Sequence, residues 1–162
     1  MHQLRPALMS FAMLAAAACG GGSESAGVDP AADVAADQVS VTVDAAYIRQ
    51  PAAGRDVTSG GATLLAETED LILVGASSPI AESIELHSMK RVDGMMRMDQ
   101  IDSVPLPAGV PVSLKGGGDH FMLFGVKDLS PDTPVPLKLV LETGDGSTIE
   151  VDVQADVQSL GE

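Results

Sequence analysis

Apolar and polar residues alternate along several short stretches between residues 39 and 154. Residues 39–43 read Val-Ser-Val-Thr-Val, and residues 137–142 and 149–154 follow the same two-residue period. Such alternation is typical of a β-strand with one buried and one exposed face. Further apolar runs interpreted as strands lie at residues 62–67, 71–76, 83–89, 95–101 and 110–114. The pattern therefore predicts an all-β domain of many short strands.

Turn-forming residues separate these predicted strands. Asp93-Gly94 lies between two of them, and an Asp-Gly pair is a strong signal for a two-residue hairpin turn. Gly144-Asp145-Gly146 separates the last two strands, and most of the ten prolines also fall between strands. No long stretch outside the first 18 residues keeps the 3.6-residue period of a helix. We therefore predict a Greek-key β-barrel or sandwich.

The first residues have the pattern of an export signal. Arg5 is followed by an apolar run over residues 7–18, which is too short to span a bilayer, since a spanning helix needs about 20 residues. A basic start, a short apolar stretch and small residues before a cleavage point indicate a secretory signal peptide at residues 1–18. Cys19 follows Ala16-Ala17-Ala18, as in a bacterial lipobox, although Ala16 stands where leucine is usual. The alternative is ordinary cleavage, which leaves a free thiol.

Residues 19–38 are predicted to form a lipidated cysteine followed by a flexible acidic linker. Gly, Ser, Ala and Asp dominate this segment, which has four acidic residues and no basic one. The folded domain is expected at residues 39–162. We therefore expect an exported protein that is periplasmic and anchored to the membrane through Cys19.

Charge and cysteine content exclude several classes of protein. Among 162 residues, 23 Asp and Glu outnumber nine Lys and Arg, and the formal net charge of −14 weighs against nucleic-acid binding. The single cysteine excludes an intramolecular disulfide framework and a Cys-rich zinc site. Eight methionines stand against only four aromatic residues of the Phe, Tyr and Trp types.

The histidines and methionines of the predicted domain occur together. Without the signal peptide, only His87 and His120 remain, and each lies close to methionine in the sequence. The five remaining methionines are Met89, Met95, Met96, Met98 and Met122. The alternative to a functional cluster is that methionine fills a core with few aromatic residues.

The predicted hairpin assigns these side chains to faces. A two-residue turn at Asp93-Gly94 pairs Val92 with Met95, Lys90 with Arg97 and Met89 with Met98. Because side chains alternate along a strand, one face then carries His87, Met89, Met96 and Met98. The opposite face carries Ile84, Leu86 and Ile101, which are expected to face the core. His120 and Met122 share a face in the same way.

Imidazole and thioether ligands together suit a soft metal ion. Thioethers favour Cu(I), whereas Mg²⁺, Ca²⁺ and Mn²⁺ prefer oxygen ligands and Zn²⁺ prefers thiolate, imidazole or carboxylate. A blue-copper centre requires a cysteine thiolate, and the only cysteine lies at the end of the export signal. The residues therefore indicate a Cu(I) site at the surface of the sandwich.

The spacing of these residues resembles that of a known family. Ten residues separate His87 from Met98, 21 separate Met98 from His120, and one separates His120 from Met122. This is the pattern of the PCuAC periplasmic copper chaperones, which are cupredoxin-like β-barrels. The sequences LVGASSPIAESIELH, GMMRM and LKGGGDHFMLFGVK are also similar to the family, and the resemblance covers roughly residues 70–153. The segment before Leu71 departs from the family, with Thr63 where an aromatic residue is usual.

The resemblance implies a function and a ligand set. It implies one Cu(I) in a His2Met2 site formed by His87, Met98, His120 and Met122. It also implies delivery of the metal to the CuA centre of cytochrome c oxidase, alongside a Sco-type thioredoxin-like copper protein. Met89 and Met96 share the site face and are secondary ligand candidates.

Two other classes of function stay open at this point. The protein is alternatively a metal-free β-sandwich interaction lipoprotein of the cell envelope. A copper-dependent redox enzyme would need an open site with further ligands, and the lack of another cysteine or histidine weighs against it. Gly116-Gly117-Gly118 lacks the Gly-Lys-Ser/Thr ending of a phosphate loop, and no serine lies in a nucleophile elbow. We therefore expect no enzyme.

Overall fold

The computed structural model describes residues 39–127, 129–131 and 133–159, and within these ranges the protein contains strands and no helix. No helix that could cross a bilayer occurs in this part of the chain. The predicted signal peptide (1–18), the linker (19–38) and Cys19 lie outside the described residues. The strands are β1 Val41–Arg49, β2 Thr58–Ala66, β3 Leu71–Ser77, β4 Ser83–Val92, β5 Met95–Ile101, β6 Val104–Leu106, β7 Val112–Leu114, β8 Asp119–Phe124, β9 Val135–Glu142 and β10 Thr148–Gln158.

The strands form one continuous mixed sheet that divides into two halves. Its order is β5-β4-β8-β2-β1-β10-β9-β3-β6, and β7 pairs with β2. The pairs are antiparallel except for β1 and β10, which run parallel and join the halves. β1 pairs with β2 on both sides of a bulge, where Ala45 has a φ of 49°, and pairs with β10 only after that bulge. Neighbours that are not consecutive in sequence give the crossovers expected of a Greek-key fold.

The core lies between the two halves and consists mainly of leucine and valine. Leu64 on β2, Leu73 on β3 and Leu139 on β9 have no exposed surface, and Phe121 on β8 is also buried. These residues occupy alternate positions of their strands, so each strand presents one apolar face to the core. Burial of this surface is the main driving force for the all-β fold.

The β4–β5 hairpin confirms the predicted register. Asp93 and Gly94 have φ angles of 50° and 82°, the backbone required by a two-residue hairpin turn of type I′. Val92 pairs with Met95, Lys90 with Arg97 and Met89 with Met98. Leu86 is buried on the face opposite these histidine and methionine positions, and Ile84 and Ile101 pack against the core.

The structure differs most from the sequence prediction in three strands, whereas β2 and β10 are each four residues longer at one end than predicted. β1 begins at Val41 and extends to Arg49, well beyond the predicted 39–43. The short strand β6 was not predicted. β8 was not predicted as a strand either, although the alternation of its side chains was used to place His120 and Met122 on one face. β8 lies between β4 and β2, and this position brings its residues beside the hairpin.

Candidate metal-binding site

Two histidines face each other on neighbouring strands. His87 on β4 is the direct cross-strand partner of His120 on β8. Directly opposed residues in an antiparallel pair extend from the same face of the sheet. The centroids of their imidazole rings are 6.2 Å apart, and the ring planes are tilted by 49°. The fold therefore brings together two histidines separated by 32 residues in sequence.

His120 is buried and its tautomer is defined by a backbone contact. Only 3% of the residue is exposed, and its Nδ1 lies 2.9 Å from the carbonyl oxygen of Gly118. Because a carbonyl oxygen only accepts, Nδ1 carries the proton, and the neutral ring has its lone pair on Nε2. The same carbonyl accepts the backbone N–H of Met89 at 3.0 Å, which ties this turn to β4.

In His87, unlike His120, the ring nitrogen that contacts another group of the protein is Nε2. Its Nε2 lies 2.8 Å from Oε2 of Glu85, and its side chain is 13% exposed. Its Nδ1 is buried and has no hydrogen-bond partner among the described residues. The centroid of the Phe124 ring lies 6.4 Å from that of His87. Because a buried ring nitrogen without a partner costs stability, Nδ1 is a candidate ligand atom.

The two methionines of the predicted site flank the histidine pair. Met122 is opposite Glu85, and Met98 is opposite Met89, so both share the face of His87. Met122 is half-buried, whereas Met98 is 45% exposed. They lie on opposite sides of β4, on strands about 10 Å apart at the usual strand spacing. The two histidines are direct cross-strand partners, whereas each methionine lies diagonally across the strand pair from His87.

The exposure of this face is uneven. The sequence predicts an open face, but both histidines are largely covered and His120 is buried. The exposed part of this face lies on β5, where Met96 is 51% and Met98 45% exposed. Met96 is opposite Arg91 and thus lies farther from the histidines than Met89 does. Access to the site is therefore from the edge strand β5.

The donor set limits which ions fit. Within residues 39–127, 129–131 and 133–159, no group of three or more His, Cys, Asp or Glu side chains is arranged to hold a metal. A site built from oxygen ligands for Ca²⁺ or Mg²⁺, or a zinc site of the usual ligands, is therefore not formed there. The group that fits these residues is a soft ion that accepts imidazole and thioether together.

Sequence reasoning missed Glu85. The sequence feature that could have indicated Glu85 is its position two residues before His87, because alternate residues of a strand share a face. The sequence alone does not distinguish this glutamate from the other acidic residues on exposed strand faces. The contact with the His87 ring identifies it as part of the site.

Comparison with known proteins identifies the family. The chain matches the LpqE-like family, described as "Putative lipoprotein LpqE-like", over residues 41–154. The chain belongs to the LpqE-like family. The curated protein "Putative lipoprotein Lxx21020" of Leifsonia xyli subsp. xyli (strain CTCB07) is 37% identical over 84 residues, which are 51% of this LpqE-like chain. The matched stretch spans about half of that relative, or 49% of its length.

Solved structures confirm the resemblance of this LpqE-like protein to PCuAC domains and its cupredoxin-like fold. The "Copper-bound PCuAC domain from PmoF2" has a TM-score of 0.59 at 19% identity and covers 74% of this chain and 92% of its own. At that identity the similarity concerns the fold. The "Solution structure of CuI-DR1885 from Deinococcus Radiodurans" is 29% identical with a TM-score of 0.55, and covers 74% of this chain and 78% of its own.

Proposed function

We propose that this protein is a copper chaperone that holds one Cu(I) ion between His87, Met98, His120 and Met122. The observation that carries the proposal is the facing pair of imidazoles on the same sheet face as both methionines, one of them with a buried Nδ1 that has no partner among the described residues. The copper-bound and Cu(I)-bound neighbours support copper as the ion. Copper is the cargo of this protein, so the site has to release it as well as bind it.

The ligand types fit an ion that is held and then released. Imidazole and thioether are neutral donors, and thioether ligands select Cu(I) over hard ions. An acceptor that offers thiolates takes the ion by stepwise exchange, in which each new copper–sulfur bond replaces one bond to this protein. The oxidation state of copper does not change in this exchange. Met98 is the most exposed of the four ligands, so we place the first exchange there.

Methionine is suited to closing this site from two sides. Its side chain is long, unbranched and flexible, so Met98 and Met122 can approach an ion beside the histidine pair from neighbouring strands. Met89 is two residues from His87 and opposite Met98, and we propose it as a secondary ligand. Met96 lies farther along β5, and we assign it mainly to shielding the site.

The acceptor and the location follow from the family resemblance. We propose delivery to the CuA centre of cytochrome c oxidase or to a Sco-type thioredoxin-like copper protein. Lys90, Arg91 and Arg97 lie on the hairpin beside the exposed methionines, in a chain of net charge −14, and favour a partner with an acidic surface. The lipoprotein descriptions of the family and of its relative support export and a membrane anchor at Cys19.

Titration with Cu(I) against a chromogenic chelator under reducing, oxygen-free conditions tests the proposal. We expect one tight equivalent in the wild type and marked weakening in Met98→Leu, Met122→Leu and His120→Ala. Met95→Leu is the matched control, because Met95 lies on the same hairpin but extends from the other face. Thermal unfolding of each copper-free variant separates loss of ligand from loss of fold.

Three results would contradict this function or part of it. Unchanged Cu(I) affinity in a ligand variant removes that residue from the site. If Met95→Leu weakens Cu(I) binding as much as the ligand variants do, the hairpin acts without a specific ligand set. Absence of Cu(I) binding by the wild type would favour the metal-free interaction lipoprotein instead.

A further inference from the structure

The two histidines of the candidate site are held through different nitrogens. His120 is held through Nδ1 by the backbone carbonyl of Gly118, whereas His87 is held through Nε2 by the carboxylate of Glu85. The backbone contact is independent of side-chain identity at Gly118. The contact to His87 depends entirely on Glu85, and the two residues extend from the same face of β4.

A carboxylate contact determines which nitrogen of a neutral imidazole carries the proton. The ionised carboxylate only accepts hydrogen bonds, so the proton of the His87 ring lies on Nε2. The lone pair is then on Nδ1, which is the nitrogen that is buried without a hydrogen-bond partner in the part of the chain that the structure describes. A histidine that ligates a metal usually donates its other ring N–H to a carboxylate, a carbonyl or water. Both histidines of this site have that arrangement, but His120 donates through Nδ1 and His87 donates through Nε2.

We infer that Glu85 is a positioning residue that keeps His87 in the Nε2–H tautomer, so that copper is bound by Nδ1 of His87 and by Nε2 of His120. The metal part of this inference rests on the proposed function. Glu85 itself is not assigned as a ligand, because its carboxylate is engaged by His87 and Cu(I) favours sulfur and imidazole donors.

The tautomer is measured without copper. In long-range ¹H–¹⁵N NMR spectra of the copper-free protein, recorded well above the ordinary imidazole pKa of about 6.5, the ring nitrogens of His87 report the position of the proton. We expect Nε2 protonated in the wild type and in Glu85→Gln, whose amide oxygen also accepts. Glu85→Ala is expected to shift His87 toward a mixture of tautomers. Asp99→Asn removes a nearby carboxylate from the opposite face of β5 and is expected to change nothing.

Copper binding supplies the second measurement. Loss of a partner of this kind typically weakens metal affinity about 10- to 100-fold, so we expect that loss in Glu85→Ala and near wild-type affinity in Glu85→Gln. In the Cu(I)-loaded wild type, which is diamagnetic, the ¹⁵N shifts that move on binding are expected to be Nδ1 of His87 and Nε2 of His120.

The outcomes separate this inference from the proposed function. A copper-free wild type with the His87 proton on Nδ1, a Glu85→Ala variant with an unchanged tautomer, or copper bound to Nε2 of His87 would each overturn the role of Glu85. Each of these results is compatible with Cu(I) binding. If copper does not bind but Glu85→Ala shows the expected tautomer shift, the copper function is overturned. Glu85 then remains the residue that sets the His87 tautomer.

Discussion

The β9–β10 and β4–β5 hairpins have the same antiparallel construction but distribute their residues differently. In β9–β10, alternate apolar residues such as Leu139 and Val151 are buried, and the intervening Lys138 and Glu150 form an ion pair at 2.7 Å. In β4–β5, six of the seven residues of β5 are exposed, three methionines among them, whereas the histidine at position 87 is largely covered. The first hairpin follows the pattern that stabilises a sheet, and the second departs from it where the candidate site lies.

The largest expected effect lies in the β9–β10 hairpin. Leu139→Ala removes a fully buried side chain, and such a cavity typically costs about 2–5 kcal/mol of unfolding free energy. Met95→Ala on β5 removes a side chain that is 71% exposed, and we expect a change within about 0.5 kcal/mol. Urea denaturation followed by circular dichroism measures both. Comparable losses in the two variants would show that β5 is buried in solution, for example by self-association.

The two hairpin turns permit a matched pair of substitutions, for which the expected loss of stability is intermediate. Gly94 and Gly146 have φ angles of 82° and 84°, and both have open space where a Cβ would be placed. Alanine at either position costs about 1–2 kcal/mol, because an L-residue is strained in this region. We expect similar losses of stability in Gly94→Ala and Gly146→Ala. Only Gly94→Ala is expected to weaken Cu(I) binding, since its turn sets the register of Met98 against β4. Equal effects on copper binding would remove the hairpin register from the explanation.

The smallest expected effect concerns the charge at the β9–β10 turn. The hydroxyl of Thr143 donates to Asp145, and the backbone N–H of Ser147 donates to the same oxygen; these bonds lower the pKa of Asp145 below its ordinary value. The resulting stabilisation is present above that ordinary value, about 3.9, and is lost as the pH falls through the lower folded-state pKa. Melting temperatures of the wild type and Asp145→Asn should therefore converge on acidification. A gap that widens toward acid pH would contradict this sign.

Much of this contrast was predictable from the sequence, because local rules govern it. The two-residue period of residues 137–142 and 149–154 predicted β9 and β10, and Asp93-Gly94 predicted the register of β5 against β4. The order of the strands was not predictable in this way. β8 follows three glycines and contains the apolar run Phe121–Phe124 (Phe-Met-Leu-Phe), so its period is obscured.

The candidate site was predictable in its residues and face but not in its environment. Alternation assigns His120 to a face, but it does not report what covers that face, and burial of His120 depends on the packing of distant strands. The contact between Glu85 and His87 is local in sequence, yet only the side-chain geometry distinguishes it from a solvated glutamate. The family resemblance supplied the proposed ligand set, and the side-chain contacts added the proposed tautomers of its histidines.

The position of β8 has a consequence for folding. His87 and His120 become neighbours when β8 pairs with β4; β8 also pairs with β2, and β2 pairs with β1, whose other edge pairs with β10. Pairings between strands so far apart in sequence form slowly, because a long stretch of chain has to be ordered first. A ligand that binds only the completed arrangement stabilises the whole folded state. On the proposed function, cargo bound at these histidines would therefore protect the entire domain against unfolding, and the empty carrier would be the more easily degraded form.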